Sequence, residues 1–248
     1  MKIIFCLFLA FSQPVILVAQ QVTVDTVQVQ NADPIHKPQV KLVPGYILPA
    51  TLFGMGVYTM QRNSIYSRFD ASRDAREAFP NFSTTIDDYF FFIPIAGLYG
   101  FNALSSQNRH HIGHQTALFF TAGAIATSIM VPLKHITDVA RPNGKPHAFP
   151  SGHTTYAFVI AGVFDREFRE KSRWISVGGY TVAAATGVMR VLNNEHWMSD
   201  VLAGAGVGLL SVHTVYYFHE RYFKHSKNMT LFPVMQNGAT GLGFNMVF

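Results

Sequence analysis

Long stretches without a charged residue constrain the fold of this chain more than any other feature. Only 13% of its 248 residues are charged, about half of the roughly 25% typical of globular domains. Six apolar segments contain no Asp, Glu, Lys or Arg: Leu42–Gln61, Tyr89–Leu104, Gln115–Leu133, Thr154–Phe164, Trp174–Met189 and Val201–Phe218. A helix needs about 20 residues to span a bilayer, and roughly 17 is a practical minimum. The pattern predicts an all-α bundle of about six helices that is embedded in a membrane or associated with one.

The two ends of the chain have a different character. Residues 1–19 combine Lys2, an apolar run and the small residue Ala19, which predicts a secretory signal cleaved near Ala19. An uncleaved N-terminal anchor is the alternative. Residues 20–41 are polar and predict an extended leader, and residues 42–225 form the predicted helical domain. Asn-Gly and Gly-x-Gly signals in residues 226–248 predict a C-terminal tail with a short hairpin.

Two cations end the third apolar segment. Lys134 and Arg141 are seven residues apart in "KHITDVARP", about two helical turns, and Pro142 is expected to stop the helix. An ammonium and a guanidinium on one helical face could hold a tetrahedral anion from two sides. A Lys/Arg pair that reaches toward the edge of the membrane would have the same sequence.

The stretch "FPSGHTT" places a histidine at the predicted start of a helix. Ser151 is a favoured N-cap residue, so His153 is expected in the first helical turn, where free backbone amides favour an anion. A capped helix with a half-buried histidine is the alternative for this stretch alone.

A second histidine is followed by an acidic residue four positions later. His196 and Asp200 in "MRVLNNEHWMSD" have the i, i+4 spacing that brings helical side chains together. A carboxylate that accepts one imidazole N–H fixes the tautomer and leaves the other nitrogen free to attack. Taken alone, such a pair is also common on protein surfaces.

The chain order predicts that these clusters meet. One complete helix pair separates the connection around residues 134–153 from the connection around residues 190–200, so an antiparallel bundle places both at the same end.

Together the clusters resemble the type 2 phosphatidic acid phosphatase (PAP2) family, which shares its fold with vanadium-dependent haloperoxidases. The family motifs are K-x6-RP, PSGH and SR-x5-H-x3-D. The first two are complete here, and the third lacks only its serine, which is Met189 in this chain. The resemblance covers roughly residues 88–218, and the lost hydroxyl predicts a modest change in affinity.

The resemblance implies a role for each residue of the motifs. His196 would be the nucleophile that attacks phosphorus, Asp200 would orient it, and His153 would protonate the leaving oxygen and later assist water. The phosphate oxygens would be bound by Lys134, Arg141, Ser151, Gly152 and Arg190. It implies no metal and no cofactor.

The implied function is a phosphatase that acts on a lipid-linked monoester or diphosphate through a phosphohistidine. The alternatives are a vanadium-dependent haloperoxidase, an acid phosphatase for soluble esters, and a non-catalytic membrane scaffold. The net charge of +5 suits an anionic partner, so the expected partners are a lipid phosphate and the membrane. No basic tract with interleaved aromatics indicates nucleic acid, and no protein partner is inferred.

Loop charge predicts an orientation in the inner membrane. Arg166, Arg169, Lys171 and Arg173 lie in the short connection after the fourth apolar segment, which predicts that the opposite rim, with the site, faces the periplasm or exterior. A periplasmic, membrane-associated protein is the alternative. With a cleaved signal, Leu42–Gln61 is then expected to lie along the surface rather than to cross.

Two further groups receive structural interpretations. His110, His111 and His114 have the spacing of metal ligands, but no acidic residue or cysteine adjoins them, so a solvated interfacial loop is the prediction. Asp87 and Asp88 precede a predicted helix, where carboxylates are favourable without any catalytic role.

Overall fold

The computed structural model describes residues 42–90, 92–104, 109–223, 229–236 and 239–246. The predicted signal segment and polar leader lie outside these residues. Seven α-helices occur in the described part of the chain: α1 (Leu42–Thr59), α2 (Arg68–Ala78), α3 (Phe92–Leu104), α4 (Ile112–Thr137), α5 (Gly152–Phe168), α6 (Arg173–Leu192) and α7 (Met198–Phe218). The predicted all-α bundle is confirmed.

Short elements complete the described chain. A 3-10 turn covers Ile86–Asp88, and a π-helical turn, His219–Phe223, continues α7. Two antiparallel strands follow, β1 (Met229–Gln236) and β2 (Ala239–Met246), with Met229 paired to Met246 and Gln236 to Ala239.

Helix α5 lies at the centre of the bundle and packs against α3, α4, α6 and α7. Its sequence is apolar around most of its circumference, as expected of a helix with neighbours on several sides. Val159, Val163 and Phe168 are fully buried and share one core with Leu98 of α3 and Val207 of α7. The core therefore holds the start of α5, with His153, in a fixed position.

Small residues let α7 approach two helices at once. A Cβ atom on Gly204 would lie 2.7 Å from the carbonyl oxygen of Ser151, and one on Gly206 would lie 2.7 Å from the amide nitrogen of Phe53. Both distances are too short for a side chain, so only glycine permits this packing of α7 against the start of α5 and against α1.

The segment Leu42–Gln61, which was expected to lie along the membrane surface, packs lengthwise against α7. Gly45 adjoins His213, whereas Gly56 adjoins Ser199 and Ala203, so α1 runs antiparallel along α7 from one end of the bundle to the other. The glycines of α1 that face α7 allow this close contact. The loop charges used to predict the orientation give no information about how closely two helices pack.

Among the described residues, three helices are long and apolar enough to cross a membrane, judged by length and composition: Ile112–Thr137, Arg173–Leu192 and Met198–Tyr222. They support the prediction of a membrane protein. The central helix α5 has 17 residues and ends with Asp165 and Glu167, both buried. Asp165 is paired with Arg169, and Glu167 is paired with His110. These partners allow α5, although it carries carboxylates, to lie in the interior of the bundle.

Candidate active site

The two polar connections meet at one end of the bundle, as predicted. The amide of Ser151, the residue before α5, donates to the carbonyl oxygen of Asp200 in the first turn of α7 at 2.9 Å. The indole N–H of Trp197 donates to the carbonyl oxygen of Ala140 at 2.8 Å. These bonds join the connection between α4 and α5 to the connection between α6 and α7.

The buried pair of this site is His196 and Asp200. Nδ1 of His196 lies 3.2 Å from Oδ2 of Asp200, and the two side chains are 2% and 0% exposed. Asp200 also accepts the amide of Trp197 at 2.9 Å and the hydroxyl of Ser199 at 3.2 Å. Because the carboxylate is held by three donors, it fixes the imidazole and leaves Nε2 as the acceptor nitrogen.

The surroundings of His196 favour its uncharged form. Burial lowers the pKa of His196, and the positive charges of Arg141 and Lys134 lower it further, while Asp200 opposes both effects. The uncharged imidazole is the form that can act as a nucleophile. The cations of the first motif therefore lie close enough to influence the histidine of the third.

Arg141 reaches the site from a loop rather than from the helix that was predicted. Helix α4 ends at Thr137, and Asp138 adopts a left-handed conformation with φ of 41°. The chain then folds back, with the amide of Arg141 bonded to the carbonyl of Lys145 at 2.8 Å. The expectation of two cations on one helical face, stopped by Pro142, is wrong because the left-handed residue ends the helix first.

Lys134 remains in the last turn of α4. Its Nζ donates to the carbonyl oxygen of His147 at 2.9 Å, so the ammonium is directed into the loop that precedes Ser151. Ser151 caps α5 as predicted, since its hydroxyl oxygen accepts the amide of Thr154. His153 consequently lies in the first turn of α5.

Arg190, at the end of α6, is buried among carboxylates. Its Nη1 donates to Asp87 at 2.9 Å and to Asp88 at 3.1 Å, and its Nη2 lies 3.5 Å from Glu195. Asn193 donates to Asp87 at 2.9 Å. The 3-10 turn before α3 is thereby attached to the end of α6.

His153 shares one of these carboxylates. Its Nε2 lies 3.2 Å from Oδ1 of Asp88. Burial lowers the pKa of His153, and Arg190 lowers it further, whereas Asp88 and Asp87 raise it. Burial and a guanidinium therefore disfavour protonation of His153, and two acidic residues oppose them without reversing the shift.

The sequence interpretation missed these acidic partners. Asp87 and Asp88 were expected only to begin a helix, yet they pair with Arg190 from about 100 positions away. No local signal indicates such a pairing. Glu195 directly precedes His196, so its position inside the third motif is the one signal that could have identified it.

Glu195 connects three cations of the site. It accepts Arg141 at 2.8 Å and Lys145 at 3.0 Å and faces Arg190. Partial burial alone would raise the pKa of Glu195, but the hydrogen bonds from Lys145 and Arg141 and the charges of Lys145 and Arg190 lower it to about 2. The carboxylate stays ionised and neutralises groups that the family motifs assign to phosphate.

Arg68 of α2 is a further cation that the motifs do not contain. Its guanidinium lies 5.2 Å from the ring centroid of Trp197 and 4.9 Å from that of Phe69. Within the described residues, Nε and Nη1 of Arg68 are buried without a hydrogen-bond partner, as are Nε of Arg141 and Nε of Arg190. Buried donors of this kind cost free energy until an acceptor reaches them, so the site is suited to an anion.

An apolar cavity adjoins the histidine of the second motif. It has a volume of about 470 Å³, and Ile95, Phe119, Tyr156 and Ile160 line it together with Gly152 and His153. Because these residues come from α3, α4 and α5, the cavity extends from the polar end of the site between three helices.

Comparison with known proteins identifies the class. Residues 115–224, which contain all three motifs, match the sequence model of the PAP2 superfamily. The resemblance indicated by the motifs is therefore confirmed for this part of the chain.

Relatives with known names share parts of the chain. The lipid A 1-phosphatase of Porphyromonas gingivalis is 47% identical over 85 residues, which are 34% of this chain and 19% of that protein. The matched region therefore spans less than a fifth of the relative's length.

Two solved structures are similar in fold at 19% sequence identity each. Aquifex aeolicus LpxE aligns with a TM-score of 0.46 over 58% of this chain and 92% of its own. The PAP2-type phosphatidylglycerolphosphate phosphatase of Bacillus subtilis aligns with a TM-score of 0.49 over 71% of this chain and 97% of its own.

Proposed function

We propose that this chain is a membrane phosphatase that hydrolyses a lipid-linked phosphate monoester or diphosphate through a phosphohistidine at His196. The observation that carries the proposal is a buried imidazole held by Asp200 beside the cations of two other chain segments. The match of residues 115–224 to the PAP2 superfamily supports the same class of chemistry.

The reaction begins with attack of the His196 Nε2 lone pair on phosphorus. A bond from nitrogen to phosphorus forms, the bond to the ester oxygen breaks, and His153 gives that oxygen a proton. In the second step His153 takes a proton from water, whose oxygen attacks phosphorus and releases inorganic phosphate and His196. Each step balances without a metal or a redox partner.

The cations would hold the non-bridging oxygens in both steps. Lys134, Arg141 and Arg190 supply charge, while Ser151 and the amide of Gly152 supply neutral donors at the start of α5. The phosphoryl transition state spreads negative charge over three oxygens, so donors that are already in place stabilise it most. The unpartnered N–H groups of Arg141 and Arg190 are donors of this kind.

The cavity beside His153 supports a lipid substrate. Its lining residues Ile95, Phe119 and Ile160 are apolar, and burying a methylene group is worth about 0.8 kcal/mol. A few methylenes of an acyl or isoprenoid chain in this cavity would place the phosphate at the polar end. The relative from Porphyromonas gingivalis, named for a lipid phosphate, supports the same substrate class.

Substitution of the nucleophile tests the chemistry. We expect His196→Ala to lower phosphate release from a lipid phosphate by at least about 10³-fold. The matched control is His135→Ala, because His135 lies at the same end of the bundle and is exposed. In the unsubstituted protein, labelled substrate should leave a phosphoenzyme that survives alkali and is lost in acid.

The outcomes of this experiment separate the alternatives. Full activity of the His196→Ala protein would reject the mechanism. Halide oxidation that requires added vanadate would identify a haloperoxidase, and absence of turnover with every phosphate ester would indicate a scaffold. Equal use of soluble and lipid esters would indicate an acid phosphatase.

A substitution in the cavity tests the lipid tail. Ile95 is partly exposed at the edge of the cavity, so Ile95→Trp fills space with little disturbance of the core. We expect KM for a long-chain lipid phosphate to rise about tenfold while kcat/KM for a short soluble ester changes less than twofold. An equal effect on both substrates would contradict the assignment of the cavity.

We place the site outside the cytoplasm. The basic connection with Arg166 and Arg169 lies at the end opposite His196, and basic connections favour the cytoplasmic side. Because α1 is antiparallel to α7, Leu42 lies at the basic end. A site outside the cytoplasm therefore requires Leu42 to lie on the cytoplasmic side. A signal cleaved near Ala19 would leave residue 20 outside, so residues 20–41 would then have to cross the membrane once more.

Labelling of single cysteines tests the orientation. In a Cys6→Ser background, an impermeant maleimide added to intact cells should label Ser64→Cys, which follows α1 at the site end, and not Glu170→Cys at the basic end. The reverse pattern would place the site in the cytoplasm.

A further inference from the structure

Three imidazoles from distant parts of the chain meet at the end of the bundle opposite His196. His110 precedes α4, His114 lies in its first turn, and His219 follows α7. One ligand nitrogen from each lies within 4.8 Å of the other two. We propose that these three residues form a binding site for a divalent transition metal of the zinc class, separate from the phosphatase site.

The separations between the imidazoles suit a shared ion. Nε2 of His114 lies 2.7 Å from Nε2 of His219. The rings of His110 and His114 are stacked at 4.9 Å, and the ring of His219 is edge-on to His110 at 5.1 Å. Tetrahedral zinc with Zn–N bonds of about 2.0–2.1 Å holds two ligand nitrogens roughly 3.3 Å apart. Binding of one ion by all three imidazoles therefore requires shifts of up to about 1.5 Å, together with a rotation that ends the parallel stacking of His110 and His114.

A buried carboxylate orients one of the ligands. Nδ1 of His110 lies 2.9 Å from Oε1 of Glu167, whose side chain is fully buried, and the hydroxyl of Tyr216 donates to the same oxygen at 2.6 Å. Metal-binding histidines commonly donate their second N–H to a carboxylate, which fixes the tautomer and makes the other nitrogen more basic. Glu167 has the required position for His110.

The charges around this cluster favour a cation. The nearby Arg109 is already paired with Glu220 and bonded to the carbonyl oxygen of Arg166 at 3.1 Å. The carboxylate of Glu167 and the ring of Tyr216 also face the ring of His110. Nε2 of His114 and Nε2 of His219 share a hydrogen bond at 2.7 Å, and a metal ion in place of the shared proton could bind all three imidazoles at once.

The donor set indicates the class of metal. Imidazole nitrogens suit zinc, copper, nickel and cobalt, whereas magnesium and calcium prefer oxygen ligands. Three histidines leave one tetrahedral position for water. Because the ligands come from the start of α4 and the end of α7, with Glu167 at the end of α5, the ion would tie three helices together.

The test uses the full-length protein in detergent micelles after chelator treatment and dialysis. Calorimetric titration with zinc chloride and elemental analysis should give one zinc per chain, and zinc should raise the thermal midpoint. His114→Ala and His219→Ala should each weaken binding at least about tenfold, as expected for the loss of a ligand. His111→Ala, which removes the exposed neighbour, should bind as tightly as the parent protein.

A spectroscopic measurement keeps the proposal testable if an alanine variant fails to fold. Cobalt(II) bound to the parent protein should show the intense visible bands of tetrahedral coordination, and His219→Gln should lose them. Phosphate release should be the same in all these variants, because the site is remote from His196. Zinc binding that is equal in all variants, or absent from the parent protein at about 10 μM free metal, would overturn the proposal.

Discussion

The two ends of the bundle use histidine in opposite ways. At the end of the bundle where α5 and α7 begin, His196 and His153 each face a carboxylate, and lysine and arginine side chains lie near them. At the other end, three imidazoles face one another, and one of them, His110, is paired with the buried carboxylate of Glu167. The same side chain is thus prepared for an anion at one end and for a cation at the other.

The difference shows that neighbouring charges decide what an imidazole can do. Burial and the nearby cations lower the pKa of His196 and favour its uncharged form, which suits the role of nucleophile that we propose for it. Where the cations are absent or already paired, as around Arg109, converging imidazoles become ligands instead. Substitutions that change the neighbours should therefore change the two ends independently.

The largest effect is expected from Asp200→Asn. Without the carboxylate, the tautomer of His196 is no longer fixed. The corresponding Asp→Asn change in a serine-protease triad lowers kcat about 10⁴-fold. We expect kcat to fall roughly 10³- to 10⁴-fold with little change in KM. A matched change, Asp74→Asn, removes a half-exposed carboxylate of α2 and should leave kcat unaltered. A fall of less than tenfold for Asp200→Asn would show that orientation of His196 contributes little.

A change in pH dependence is expected from Asp88→Asn. The pKa of His153 is lowered by burial and by Arg190 and raised by Asp88, so removing Asp88 should lower it further. Since His153 must carry a proton to serve as the acid, kcat/KM should decline with rising pH, and the decline should move to lower pH by about half a unit to one unit. A profile that is unchanged or shifted upward would argue against His153 as the acid.

A smaller effect is expected from Glu195→Gln. This substitution removes the negative charge shared by Arg141 and Lys145, so the cations should bind a tetrahedral anion more tightly. We expect inhibition by vanadate or phosphate to strengthen about threefold to tenfold, measured against Glu77→Gln as the control. Weaker inhibition would mean that Glu195 positions the cations rather than competing with phosphate.

The same carboxylate gives a stability prediction with a definite sign. The pKa of Glu195 is lowered from 4.5 to about 2 in the fold, so its contribution to stability is present above about pH 4.5 and disappears as pH falls toward 2. The difference in thermal midpoint between the parent protein and Glu195→Gln should therefore be seen at pH 7 and vanish near pH 2. A difference in thermal midpoint that persists near pH 2 would show that the stabilising effect of Glu195 does not depend on its ionisation.

The smallest effect is expected from the opposite end. His114→Ala should change phosphate release by less than twofold, although it should abolish zinc-dependent stabilisation. A large loss of activity would mean that the two ends are coupled through α4, which also carries Lys134.

Local sequence was sufficient for much of the site. The proline, serine and glycine before His153 predicted the start of α5, and the spacing of His196 and Asp200 predicted their contact. Chain order predicted that the two connections share one end. The signals failed where backbone conformation intervened, as at Asp138, whose left-handed turn moves Arg141 from helix to loop.

Pairing across long separations was not available from the sequence. Asp87 and Asp88 find Arg190, and His219 finds His114, over separations of about 100 residues. Motif spacing and helix periodicity relate residues only a few positions apart, so they do not predict such contacts. The interpretation of His110 and His114 as a solvated loop rested on the absence of a nearby acidic residue, and α5 supplies that residue as Glu167.

What the sequence determined by itself is the set of apolar helices and the chemical groups at their ends, because helix periodicity, caps and motif spacing are local properties. The tertiary structure alone decided which carboxylate neutralises which cation, how α1 lies along α7 and where the third imidazole goes. These outcomes depend on how closely helices approach, and that is set by glycines and buried charges that only acquire partners once the bundle has packed.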